Sequence, residues 1–118
     1  IVKLNQDFGM AVETVLFLKK KKTDNYVQAG EIAKALDFSV GYLQKVIQAL
    51  SKHGVVECKR GRVGGVRMRA STVNLLDVWN ITCGEMDLKT PSVPQMKKPL
   101  NAFADAMAKT VIYKKNGR

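Results

Sequence analysis

The chain has 118 residues, 46% of them hydrophobic, enough for one compact core with an appended element and too few for two ordinary domains. With 20 Lys and Arg against 10 Asp and Glu, the formal charge of +10 points to a polyanionic partner, nucleic acid before a membrane surface. No apolar run approaches the roughly 20 residues of a membrane span, and Cys58, Cys83 and the single His53 stand at no metal-ligand spacing, which excludes a disulfide framework or a zinc module.

Taken in chain order, Phe8, Ala11, Val12, Val15, Leu16 and Leu18 recur at helical spacing and predict a first helix over 7–18. Asp7 is placed to cap its start, and Lys19–Lys22 meet the negative end of its dipole before Thr23-Asp24-Asn25 breaks it. Ile32, Ala33 and Leu36 predict a short second helix over 30–36, and Asp37-Phe38 a tight turn. Ser39 can cap a third helix with a buried stripe of Val40, Leu43, Val46, Ile47 and Leu50, stopped by a left-handed Gly54. His53 reads as a residue of the helix end.

Residues 55–59 and 66–69 read as strands of a hairpin closed by the glycine-rich run 60–65. Asn74 and Asp77 form a capping box before Leu75, Leu76, Val78, Trp79 and Ile81, hence a fourth helix. Pro91, Pro94 and Pro99 mark an extended linker between Gly84 and Leu100. Beyond it, Leu100, Phe103, Ala104, Met107, Val111 and Ile112 lie along one side of a last helix detached from the first core. Such a stripe needs a partner, so Leu100, Phe103, Met107 and Val111 are candidate dimerisation residues. The expected fold is mainly α with a small β-hairpin: a winged helix-turn-helix over 1–83, then a linker and a long dimerisation helix over 84–118.

Two short helices that cross at the small Ala33 leave the outer face of the second at the surface, with its N-terminal end placed for base edges in a major groove. Gln44 and Gln48 can each bond an adenine edge, Ser39 and Tyr42 can donate to phosphate, and Gly41 and Lys45 share that face. The hairpin carries Lys59, Arg60, Arg62, Arg67 and Arg69, with no acidic residue between 59 and 69. An arginine at a thin glycine-rich tip enters a minor groove or grips phosphate. Gly61, Gly64 and Gly65 serve the turn, since no lysine-serine pair follows them to complete a nucleotide phosphate loop. Cys58 beside Lys59 and Arg60 is either a reactive thiolate or, the reading preferred here, an inert half-buried hydrophobe.

These stretches, namely Gly30-Glu31-Ile32-Ala33, Tyr42 through Leu50, Gly54-Val55-Val56, Arg60-Gly61, Gly64-Gly65-Val66-Arg67 and Leu75-Leu76-Asp77-Val78, resemble the Rrf-two family in order and spacing from Leu4 to Ile81. The resemblance implies a homodimeric winged-helix transcription regulator that binds a near-palindromic operator in double-stranded DNA. It also implies DNA contacts from Ser39, Gly41, Tyr42 and Gln44 and a wing arginine at Arg60; Gln44 stands where a glutamate is common. Many members hold an iron-sulfur cluster on three cysteines just before the dimerisation helix. Here 84–99 contains none and Cys83 lies earlier, so no cluster and no other cofactor is expected. The signal would then be an unknown small-molecule effector, a partner protein or nothing.

No basic-then-apolar leader follows Ile1, which makes a cytoplasmic location the expectation. The expected role is a repressor rather than an enzyme, because one His and two Cys assemble no nucleophile-base pair and no paired-carboxylate site appears. Two rivals use the same fold: a protein-interaction scaffold, which has no need of so basic a wing, and an RNA-binding module, separable by competition between duplex DNA and structured RNA.

Overall fold

The computed structural model describes residues 6–21, 24–61, 64–83 and 97–115, with side chains in the last segment from 102 onward. Arg62, and the stretch over 84–96 that was expected to be a linker, lie outside the described residues.

Helix α1 (Gln6–Lys21) begins one residue earlier than the spacing suggests. Asp7 therefore sits inside the first turn, where its charge meets the positive dipole end, instead of capping it. Met10, Ala11, Val15 and Leu18 are buried. Thr14 is buried with them, its hydroxyl donating to the Met10 carbonyl at 2.7 Å, so its polarity is satisfied one turn back. Leu16, expected in the stripe, is exposed.

Helix α2 (Ala29–Leu36) ends at Asp37, which takes the left-handed conformation (φ 58) that aims the chain into the next helix. Helix α3 (Val40–Lys52) starts at the expected cap, Ser39 Oγ accepting from the Tyr42 backbone N–H at 3.4 Å. Leu43, Val46, Ile47 and Leu50 are buried against α1, α2 and α4. Val40 is not part of that stripe: it is 44% exposed. Residues 39–42 are all exposed, so the first turn of α3 stands clear of the core. At the other end Gly54 (φ 77) reverses the chain, and the Val55 N–H closes on the Leu50 carbonyl at 2.9 Å.

Strands β1 (Val56–Lys59) and β2 (Gly65–Met68) pair antiparallel, Val56 opposite Met68 and Lys59 opposite Gly65. Val27 adds a short third rung, exchanging backbone bonds with Val66 at 2.8 and 2.7 Å. This bridge explains Gly65 (φ 138), because a Cβ there would lie 2.3 Å from the Val27 carbonyl oxygen. Buried Val27, Val56 and Val66 anchor the hairpin in the core.

The capping box forms as expected between β3 (Thr72–Asn74) and α4 (Leu75–Cys83). The Asn74 N–H donates to Asp77 Oδ2 at 3.1 Å and the Asp77 N–H to Asn74 Oδ1 at 2.8 Å.

The C-terminal segment departs from expectation. Helix α5 (Lys97–Lys109) takes Pro99 into its first turn, where a missing N–H costs no helical bond, and packs on α4. It ends at Lys109, 13 residues long, as the Thr110 hydroxyl donates to the Ala106 carbonyl and its N–H to the Met107 carbonyl. Val111 is consequently not on a helix. It opens β4 (Val111–Lys114), which pairs antiparallel with β3, Val73 opposite Tyr113, as suits a run of β-branched and aromatic residues. Ile112 is 7% exposed and joins the same core as Val73 and Val78. The segment folds back onto the winged helix rather than standing apart from it.

Candidate nucleic-acid interface

The local sequence explains why α3 presents a face. Leu43, Val46, Ile47 and Leu50 cluster on its buried side, and Gly41, Gln44, Lys45 and Gln48 are exposed on the other. Gly41 has nothing within 4 Å of where a Cβ would stand, which leaves the helix start thin.

Tyr42 is exposed too, but its hydroxyl already donates to Asp7 Oδ1 on α1. That bond, with the desolvation and the charge of Asp7, holds the phenol above its ordinary pKa. A phosphate would have to compete with Asp7 for this proton, so Tyr42 is first a tie between α1 and α3.

The wing divides likewise. Lys59, Arg60 and Arg69 are exposed, and the Lys59 Nζ lies 5.8 Å from the Tyr26 ring centroid. Arg67, expected to face nucleic acid, is turned to internal duties. Its Nε pairs with Glu57, directly opposite in the β1–β2 register, its Nη1 donates to the Asp24 carbonyl at 3.2 Å, and its guanidinium stacks 4.5 Å over Tyr26. The hydrogen bond to Glu57 pushes its pKa up further. Counting charges over 59–69 hides this because Glu57 lies two positions before the window. At the tip, the Gly64 N–H bonds the Gly61 carbonyl at 3.0 Å, and a Cβ on Gly64 would sit 2.1 Å from the Lys59 carbonyl oxygen.

Strand β1 packs on α3, so the exposed start of α3 and the cations of the wing belong to one unit. Val40 is among the residues that sequence reasoning misplaced. The signal was available, since a Ser39 cap makes Val40 the first helical residue. No helix among the described residues is long and apolar enough to cross a membrane.

A row of aromatic side chains lies on α1, α4 and α5. Phe8 and Trp79 meet edge-to-face at 5.3 Å between centroids, and Trp79 and Phe103 at 6.0 Å, with Phe103 41% exposed. Met107, a candidate dimerisation residue, is 4% exposed within the single chain, whereas Val111 is 49% exposed on β4. The side chain of Leu100 lies outside the described residues.

Residues 4–114 match the Rrf2 family, described as "Iron-dependent Transcriptional regulator". Protein aau3 of Rhizobium meliloti is 36% identical over 96 residues, covering 65% of this chain and 61% of that protein. The HTH-type transcriptional regulator NsrR of Bacillus licheniformis is 36% identical over 67 residues, covering 57% of this chain and 47% of its own. The chain spans about half the length of the curated relatives it matches. Among solved structures, CymR, the global cysteine regulator of B. subtilis, superposes with a TM-score of 0.81 at 17% identity, covering 95% of this chain and 94% of that one. T. potens IscR gives a TM-score of 0.78 at 20% identity, covering 94% and 83%. At such identity these two speak for the winged-helix fold.

The residues present do not fit an iron-sulfur cluster. Such a cluster is held by several thiolates brought together. Cys58 is exposed on β1, where a half-buried position was expected, and Cys83 closes α4 beside Thr82, their Sγ and Oγ1 3.5 Å apart. No group of three His, Cys, Asp or Glu among the described residues could hold a metal ion. The Rrf2 match runs through the cap of α3, the wing and the returning strand β4, and the chain belongs to that family of transcriptional regulators, which are not enzymes.

Proposed function

We propose that this chain is a sequence-specific double-stranded DNA-binding regulator that acts as a homodimer on a near-palindromic operator, most simply as a cytoplasmic repressor. The observation that carries the reading is the exposed first turn of α3, thin at Gly41, on a helix that packs against strand β1 of a wing whose Lys59 and Arg60 are exposed. In this reading Gln44 and Gln48 meet base edges in a major groove, Ser39 and Lys45 meet phosphates, and Arg60, with Arg62, reaches the adjacent backbone or minor groove. Arg67 contributes field rather than contact, being held by Glu57 and Tyr26.

A two-fold dimer would space two α3 helices about one helical turn of DNA apart, or a multiple of it. Support for the pairing comes from Phe103 and Val111, large apolar side chains left exposed on α5 and β4. In this reading the regulatory signal is not an iron-sulfur cluster, since the described residues bring no group of three donors together; a small-molecule effector or partner protein would supply it. Stoichiometric iron and sulfide in protein purified anaerobically would overturn that part.

The test is enrichment of duplexes from a genomic fragment pool by the purified protein, followed by titration across salt with wild type and Arg60→Ala. Enrichment of a near-palindrome and a weaker variant supports the reading. Preference for structured RNA over duplex, or binding to neither, refutes it in favour of an RNA module or a scaffold.

A further inference from the structure

The exposed first turn of α3 holds a side chain with no role in the fold. Val40 is a β-branched apolar residue, 44% exposed, at the first position of a helix whose other exposed residues are mostly polar, charged or glycine. It contributes nothing to the buried stripe of Leu43, Val46, Ile47 and Leu50, and alanine there would favour the helix as well or better. Gln44 stands four residues on and Gln48 four beyond that, so Val40, Gln44 and Gln48 follow one another along a single ridge of the helix. Gly41 beside Val40 adds no bulk that would hold the ridge away from a surface.

We propose that Val40 is a specificity-determining residue that packs on the C5-methyl of a thymine in each half-site, next to an adenine read by Gln44. This rests on the DNA-binding reading above. In the major groove only thymine offers an apolar group, so an isopropyl side chain at the edge-contacting end of a recognition helix discriminates for that base alone. A glutamine amide matches the N6 and N7 of adenine. Four residues advance a helix by about 6 Å, close to two steps of the roughly 3.4 Å base-pair rise, which places the thymine and the adenine about two base pairs apart.

Deoxyuridine in place of thymidine removes the methyl and nothing else. Operators enriched by the wild type are therefore resynthesised with single deoxyuridines and titrated against wild type, Val40→Ala and the isosteric but hydroxylated Val40→Thr, each confirmed folded by an unchanged melting temperature. Gln44→Ala locates the base pair that Gln44 reads. The expected result is one thymine per half-site, about two base pairs from that pair, whose conversion to deoxyuridine weakens the wild type about four-fold, the effect of one buried methyl, and Val40→Ala by less than about two-fold. Equal losses for wild type and Val40→Ala at every position, or no loss anywhere, would overturn the role of Val40 while leaving the operator and the regulator reading standing. Failure of the wild type to enrich any duplex would overturn both.

Discussion

The hydroxyl of Tyr42, on the exposed first turn of α3, donates to Asp7 Oδ1 in the first turn of α1, 35 positions earlier. The next residue along α1, Phe8, meets Trp79, and Trp79 meets the exposed Phe103. One turn of α1 thus touches α3 with one side chain and the aromatic row toward α5 with the next.

Tyr42→Phe should therefore lower thermal stability slightly without unfolding the protein. Because the phenol's pKa is raised in the folded chain, the bond to Asp7 contributes fully below the ordinary tyrosine value of about 10 and is lost as pH rises through the higher folded value. Melting curves of wild type and variant should run apart at pH 8 and converge at strongly alkaline pH. A gap that is constant across that range would show that the hydroxyl proton is not involved.

Arg60 and Arg67 should separate cleanly despite equal charge. Arg60→Ala removes an exposed cation and should reduce the log-log salt slope of DNA binding by about 0.9 per protomer with an unchanged melting temperature. Arg67→Ala unstacks Tyr26 and leaves Glu57 alone, so it should lower the melting temperature while changing the slope little. Salt titration alongside calorimetry on both variants decides it, and exchanged phenotypes would mean the pairing does not hold in solution.

Two glycines should respond in opposite senses to alanine. Gly65→Ala forces a Cβ against the Val27 carbonyl at an unfavourable φ, and should destabilise by on the order of 2–4 kcal/mol through strain and loss of the Val27–Val66 bridge. Gly41→Ala meets nothing and should stabilise α3 by about 0.5–1 kcal/mol while weakening operator binding, since the thin helix start is filled. Denaturant unfolding and operator titration read both effects.

Ile112→Ala should cost about 2–4 kcal/mol, as expected for a buried isoleucine whose cavity cannot fully collapse. Asn74→Ala should cost about 1 kcal/mol, through one arm of the capping box. Truncation at Thr90, which on the sequence reading would give a weakly binding monomer, removes β4 from β3 and Ile112 from the core, so the fragment should be markedly destabilised as well. An Ile112→Ala chain as stable as wild type would place β4 outside the cooperative unit.

Helices α1 to α4, the wing and the caps at Ser39 and Asn74 were legible in the sequence because each rests on local rules: periodicity within a helix, a side-chain oxygen within reach of a nearby N–H, a glycine where the chain must turn. The outer residues of α3 were legible for the same reason, as the complement of its apolar stripe. Neither the partner of Arg67 nor the tie from Tyr42 to Asp7 was, since each joins residues distant in sequence that only the packed chain brings together. The same holds for 111–114. Val111 and Ile112 satisfy a helical spacing and a strand composition equally well, and the choice fell to β3, whose open edge and adjoining core accept Ile112 and whose backbone bonds a helix could not supply. The sequence by itself therefore determined helices α1 to α4, the hairpin and the outer polar residues of α3. The tertiary structure decided which cations of the wing stay exposed and that 111–114 pair with β3 as a strand, because those outcomes depend on long-range contacts that no local pattern encodes.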